Sequence, residues 1–106
     1  HTAVTGHHHL FADGDSGWLA QTDGTNLFLK TFTDIASGQA APGEAEIELY
    51  ARTSYEEVEQ QGAYETLAAG GSLSWQVIWQ LRSIPAEVVV APGSPTLLDF
   101  TDAQRP

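Results

Sequence analysis

A chain of 106 residues is long enough for one domain around a single core. Its 14 acidic residues face only 4 basic ones, and the net charge of −10 repels phosphate backbones and anionic bilayer surfaces. Nucleic acid and membrane are therefore not expected as partners, whereas neutral molecules such as sugars stay compatible. The chain has no Cys, which excludes a disulfide framework and a thiolate metal site.

The apolar share of 42% is that of a globular chain, so the charge does not signal disorder. No apolar run is long enough to span a bilayer, and the start carries no signal-peptide pattern. There is no Met, and His1 comes first. The expectation is a chain that was processed, trimmed or cut from something longer.

His1–Gly6 has no pattern and reads as a loose end or an edge. His7, His8 and His9 follow. On a strand, His7 and His9 would share a face, where they offer a proton donor or a metal pair; the plain alternative is a surface run or the remnant of a tag. Asp13-Gly14-Asp15-Ser16-Gly17 hints at calcium. An EF-hand loop needs a ligand at its fifth position and a Glu at its twelfth, which here are Gly17 and Gly24, so the segment reads as a turn. No metal site is expected.

Trp18–Thr22 reads as a short strand, Asp23-Gly24 as a two-residue hairpin turn, and Asn26–Phe32 as a strand apolar on both faces. Thr33–Gly43 is a long loop of small residues with Gly38, Pro42 and Gly43. Ala45–Ala51 alternates Ile47 and Leu49 with Glu46, Glu48 and Tyr50. Tyr55–Gln60 is an acid-rich strand that Gly62 breaks. Tyr64–Leu67 and Glu87–Ala91 read as further short strands, and Gly70-Gly71 as a turn. Thr96–Pro106 is a tail that forms a short helical turn or an edge.

The strongest pattern lies in Ser72–Arg82. Leu73, Trp75, Val77, Trp79 and Leu81 take every second position, the side-chain period of a pleated strand. Two Trp on one face need a large apolar partner, so this stretch is expected to be a central, core-packed strand. Seven short strands and no convincing helix predict an all-β antiparallel β-sandwich.

The order of several segments carries a resemblance. They are Gly17-Trp18-Leu19-Ala20, Leu27-Phe28-Leu29-Lys30-Thr31-Phe32, Glu48-Leu49-Tyr50, Val58-Glu59-Gln60-Gln61-Gly62, Leu67 through Gly71 and Trp79-Gln80-Leu81. Over about residues 17–82 the chain resembles the C-terminal part of an uncharacterised bacterial family with the galactose-mutarotase-like fold. Two turns depart from the family pattern, Ala69-Gly70-Gly71 and Gly62-Ala63, and family members are more than twice this long. The resemblance implies a supersandwich, or a part of one, whose concave sheet holds a carbohydrate. The compartment is left open by the sequence, the periplasm or the outside of the cell being the favoured alternative. In mutarotase members a Glu acts as general base on the anomeric hydroxyl and a His as general acid on the ring oxygen.

Carried over on its Glu-x-Tyr strand, Glu48 is the expected general base, with Glu46 and Tyr50 beside it as substrate contacts. A close carboxylate pair would raise one pKa, as acid–base work requires. The bland alternative is a solvated polar face. No His maps onto the general acid. Trp18, beside a turn, is a candidate sugar platform, while Trp75 and Trp79 read as core. Lys30 could meet an acidic sugar, although pairing with a neighbouring acid is its default. No phosphate loop or Ser nucleophile motif occurs, and no cofactor is expected. Two functions compete: a mutarotase-like enzyme, and a non-catalytic carbohydrate-binding or structural module that forms a homo-oligomer through strand edges, the missing N-terminal portion of the same sandwich being the other candidate to complete its sheets.

Overall fold

A computed structural model describes residues 6–106. The first expected segment, His1–Gly6, lies outside them except for Gly6. The described residues form two antiparallel three-stranded sheets and one short helix, a sandwich-like all-β chain. The first sheet has the order β1-β4-β5, with β1 at His7–Ala12, β4 at Ile47–Arg52 and β5 at Glu56–Gln60. The second has the order β2-β3-β6, with β2 at Trp18–Thr22, β3 at Asn26–Phe32 and β6 at Val77–Ser83.

The hairpin of β2 and β3 is set by its turn chemistry. Asp23 accepts from the backbone N–H of Thr25 at 2.8 Å and of Asn26 at 2.6 Å, while Gly24 takes φ +94°. An Asx-type turn and a glycine free to adopt positive φ close the hairpin without strain. Since Thr22 pairs with Leu27, the two central turn residues are Gly24 and Thr25, one position later than the Asp-Gly signal suggests.

β3 is the covered strand. Leu27 and Leu29 are fully buried, and Lys30 and Thr31 on opposite faces are buried too, as the two-sided apolar pattern predicts. Leu27 lies against helix α1, Pro95–Ala103, in a crevice that Trp18, Ala20, Leu97 and Thr101 also line. Ser94 caps that helix by accepting from the Leu97 N–H at 3.3 Å, and Pro95 occupies its first turn, where a missing N–H costs nothing. The other face of the second sheet meets the first sheet along β2 and β5. There Gln21 donates to the Glu56 carboxylate, and the Lys30 ammonium donates to the Val58 carbonyl.

Three expectations fail. Ser72–Arg82 is not a central strand: pairing begins at Val77, β6 is the edge of its sheet, and Trp79 and Leu81 are 65% and 66% exposed. The alternation holds from Val77 to Leu81, but it reports which side chains share a face, not whether anything covers that face. Trp75 lies outside the strand. It packs on Phe32 and donates to the Thr33 carbonyl at 3.3 Å, and a side chain at Gly62 would collide with its ring. Tyr64–Leu67 and Glu87–Ala91 are not strands either, while the C-terminal tail takes the helical of its two alternatives, as a nine-residue helix.

The radius of gyration is 15.7 Å, whereas a compact chain of this length has about 13 Å. Among the described residues, four apolar ones are buried, Leu27, Leu29, Ile35 and Ile47, while twelve large ones are exposed. Burial is therefore concentrated around β3 and at the loop junction beside Ile35 and Ile47. The outer face of the first sheet and the edge of the second stay uncovered by the described residues.

Candidate functional site

The outer face of the first sheet gathers most of the chain's polar aromatic chemistry. In β1, His7, His9 and Phe11 alternate with His8, Leu10 and Ala12. Antiparallel register sets His7 opposite Arg52, His9 opposite Tyr50 and Phe11 opposite Glu48. Across β4, Glu48 and Tyr50 stand opposite Glu59 and Glu57. Directly opposite residues share a face, so one surface carries His7, His9, Phe11, Glu48, Tyr50, Arg52, Glu57 and Glu59. The reverse face holds Leu10, Leu49 and Val58, aligned across the three strands.

The rings are in contact. Tyr50 stacks on His7 with centroids 6.2 Å apart, meets His9 edge-on at 5.6 Å and lies 5.9 Å from Tyr55. Phe11 covers the other side of His9 at 4.7 Å. The Arg52 guanidinium sits 5.6 Å from the Tyr50 ring and donates through Nε to its hydroxyl, which holds the guanidinium pKa above its usual value. Desolvation and the neighbouring Tyr50 push the Tyr55 hydroxyl pKa up. The surface thus combines phenol hydroxyls, a guanidinium and a cluster of touching rings.

Glu48 and Tyr50 share this outer surface, as their parity on one strand predicts. Glu48 is hydrogen-bonded to His9 Nε2, and both side chains are partly open to solvent. That histidine is 39 residues away in the chain. Local spacing could not pair it with Glu48; the shared parity of His7 and His9 was the one available signal.

Glu46 does something else. It precedes β4, and its carboxylate turns into the junction of two loops, accepting from Gly14 N–H at 2.8 Å and Ile35 N–H at 2.9 Å. It is 2% exposed. Burial pushes its pKa up, against the lowering effect of the two N–H donors, and Asp34 and Asp13 raise it further. The carboxylates of Asp13, Asp34 and Glu46 lie within 4.8 Å of one another, the donor type and spacing a hard cation uses. Both Glu46 oxygens are already engaged by backbone, so the group ties the Asp13–Gly17 turn to the Ile35 loop.

Trp18 and Lys30 also stand apart from Glu48. Trp18 is half-buried beside α1, with the Arg105 guanidinium 6.0 Å from its ring. Lys30 is buried between the sheets. Its ammonium reaches the Val58 carbonyl and lies 5.5 Å from the Phe28 ring and 5.2 Å from the Trp79 ring. Desolvation lowers its pKa, partly offset by Glu59.

Compared with protein-family models, with curated proteins and with solved structures, the chain matches none of them.

Proposed function

We propose that the chain is a non-catalytic carbohydrate-binding module that receives a neutral sugar on the outer face of the β1-β4-β5 sheet. The supporting observation is the contiguous ring surface of His7, His9, Tyr50 and Tyr55 with carboxylate, guanidinium and hydroxyl groups around it. A pyranose has one face of polarised C–H bonds, which suits the negative face of an aromatic ring, and a rim of hydroxyls, which need both donors and acceptors. Tyr50 is the platform, Arg52 and His9 are donors, and Glu48, Glu57 and Glu59 are acceptors. The net charge of −10 favours neutral over anionic glycans.

The second reading is aldose epimerisation within a galactose-mutarotase-like sandwich, with Glu48 as general base and His9 as general acid. The Glu48–His9 contact favours it, since it brings the two required group types together. The same contact is why binding ranks first. A mutarotase must hold its base and acid on opposite sides of one sugar, and here they touch each other.

Two measurements separate the readings. In native gels cast with neutral polysaccharides, the binding proposal expects retardation that Tyr50→Ala abolishes while the circular dichroism spectrum is kept. A set of gels with no retardation rejects it. With a freshly dissolved α-anomer followed by polarimetry, it expects no rate above buffer. A rate that Glu48→Gln removes establishes the enzyme instead.

A further inference from the structure

We infer that β6 is a homodimer interface, pairing antiparallel with the β6 of a second copy so that two β2-β3-β6 sheets join into one six-stranded sheet. The inference goes beyond the sugar-binding face, which lies on the other sheet.

The first ground is the state of the edge. β6 pairs with β3, and among the described residues no strand pairs with its far side. Seven residues of open edge are a template for another strand, and proteins normally blunt such edges with Lys, Pro, bulges or inward charges. β6 has no Lys, no Pro and no bulge along its paired residues. Its one charge is Arg82, and its exposed residues include Trp79, Leu81 and Ile78.

The second ground is charge. The chain has 14 acidic residues, yet none falls between Glu65 and Glu87. The edge strand thus lies in an acid-free stretch of a strongly acidic protein. Strand pairing here sets no acidic side chain of one copy directly opposite one of the other. Self-pairing of β5, with Glu56, Glu57 and Glu59, would instead set like charges against each other.

The third ground is self-complementarity. Centring the two-fold axis on Gln80 sets Trp79 opposite the partner's Leu81, Ile78 opposite the partner's Arg82 and Val77 opposite the partner's Ser83. Directly opposite residues share a face, so the apolar row of Trp79 and Leu81 beside Phe28 continues across the axis. The Arg82 stem can lie along Ile78 with its charge in water. Gln80 lies on the axis, opposite the partner's Gln80, with its side chain on the Leu29 face of the sheet.

Occupancy of β6 leaves the His7–Tyr50–Tyr55 surface open in both copies. A dimer would then present two such faces.

Sedimentation equilibrium of the wild-type chain at tens of micromolar tests the inference without any sugar. The expected mass is twice 11.4 kDa. Leu81→Glu should halve it, whereas Leu98→Glu on the exposed face of α1 should leave it unchanged. The chain has no Cys, so Gln80→Cys is a clean probe of register, because opposite Cβ atoms of paired strands come within disulfide reach. Most of that variant should oxidise to a disulfide-linked dimer, and Asp15→Cys should not. A monomeric wild type, a dimer that survives Leu81→Glu, or a dimer in which Gln80→Cys stays reduced each overturns the proposal. Should Leu81→Glu misfold, the wild-type mass and the Gln80→Cys cross-link decide the matter together.

Discussion

The two sheets have the same size and the same antiparallel plan, but their central strands live in different surroundings. β3 has Leu27 and Leu29 buried on its helix side and Lys30 buried on its sheet side. In β4 only Ile47 is buried, and Glu48, Tyr50 and Arg52 look outwards. The difference teaches a division of labour: the second sheet holds the fold, while the first displays chemistry. Burying a large apolar side chain contributes roughly 1.5–3 kcal/mol, and that contribution is spent mainly around β3. The Tyr50 ring of β4 stays partly in water.

Substitutions break or sharpen this contrast. The largest effect is expected from Leu29→Ala, which opens a cavity at the fully buried centre of β3 and should cost about 2–5 kcal/mol in urea unfolding. Tyr50→Ala, at the corresponding place in β4, should cost well under half as much. Equal losses at the two positions would erase the division.

Next comes Glu46, which belongs to the fold although it neighbours the first sheet. Glu46→Ala leaves the N–H groups of Gly14 and Ile35 without their acceptor, at about 1–3 kcal/mol. Glu46→Gln keeps one acceptor oxygen and should lose less. The pH dependence follows from its raised pKa. The folded chain keeps this proton at a pH where the unfolded chain has released it. The contribution is therefore fully present below the ordinary carboxylate pKa and is lost as pH rises through the folded value. Wild type should lose stability over that interval relative to Glu46→Gln. An identical pH slope in the two proteins would contradict the assignment.

Ser94→Ala removes the cap of α1, the helix that covers Leu27, and should cost about 1 kcal/mol. The smallest effect concerns the hairpin turn. Hydrogen bonds from the Asn26 side chain and from the Asn26 and Thr25 backbone bring Asp23 down to about 2. A group with a depressed folded pKa contributes stability above its unfolded value and loses it as pH falls through the folded one. Asn26→Ala should raise the Asp23 midpoint in an NMR titration, and an unmoved midpoint would show that the side-chain bond is absent.

What could be read from the sequence divides along similar lines. The spans Trp18–Thr22 and Asn26–Phe32 are both legible to the residue, because local turn chemistry and a two-sided apolar pattern fix them. Trp79 and Leu81 show the limit of that reasoning. Their shared face is legible, but its exposure depends on what packs against it from elsewhere in the chain. Ser94-Pro95 was a usable helix-start signal, a capping side chain followed by Pro, and it outweighs the apolar look of the segments around it. Parity placed Glu48 and Tyr50 together correctly because both lie inside β4. It failed for Glu46, which precedes the first paired residue, where the backbone no longer alternates. The His9–Glu48 bond rests on the pairing of two distant strands, which no local spacing encodes.

The central claim is that the open face of the first sheet receives a neutral sugar. An ¹⁵N-correlation NMR titration with the polysaccharide fragment that most retards the protein tests it most directly. The account predicts shifts confined to His7, His9, Phe11, Tyr50, Arg52 and Tyr55 and their strand neighbours, saturating with added sugar and absent in Tyr50→Ala. Shifts that gather instead around Trp79 and Leu81, or a spectrum that no neutral oligosaccharide moves, would contradict it.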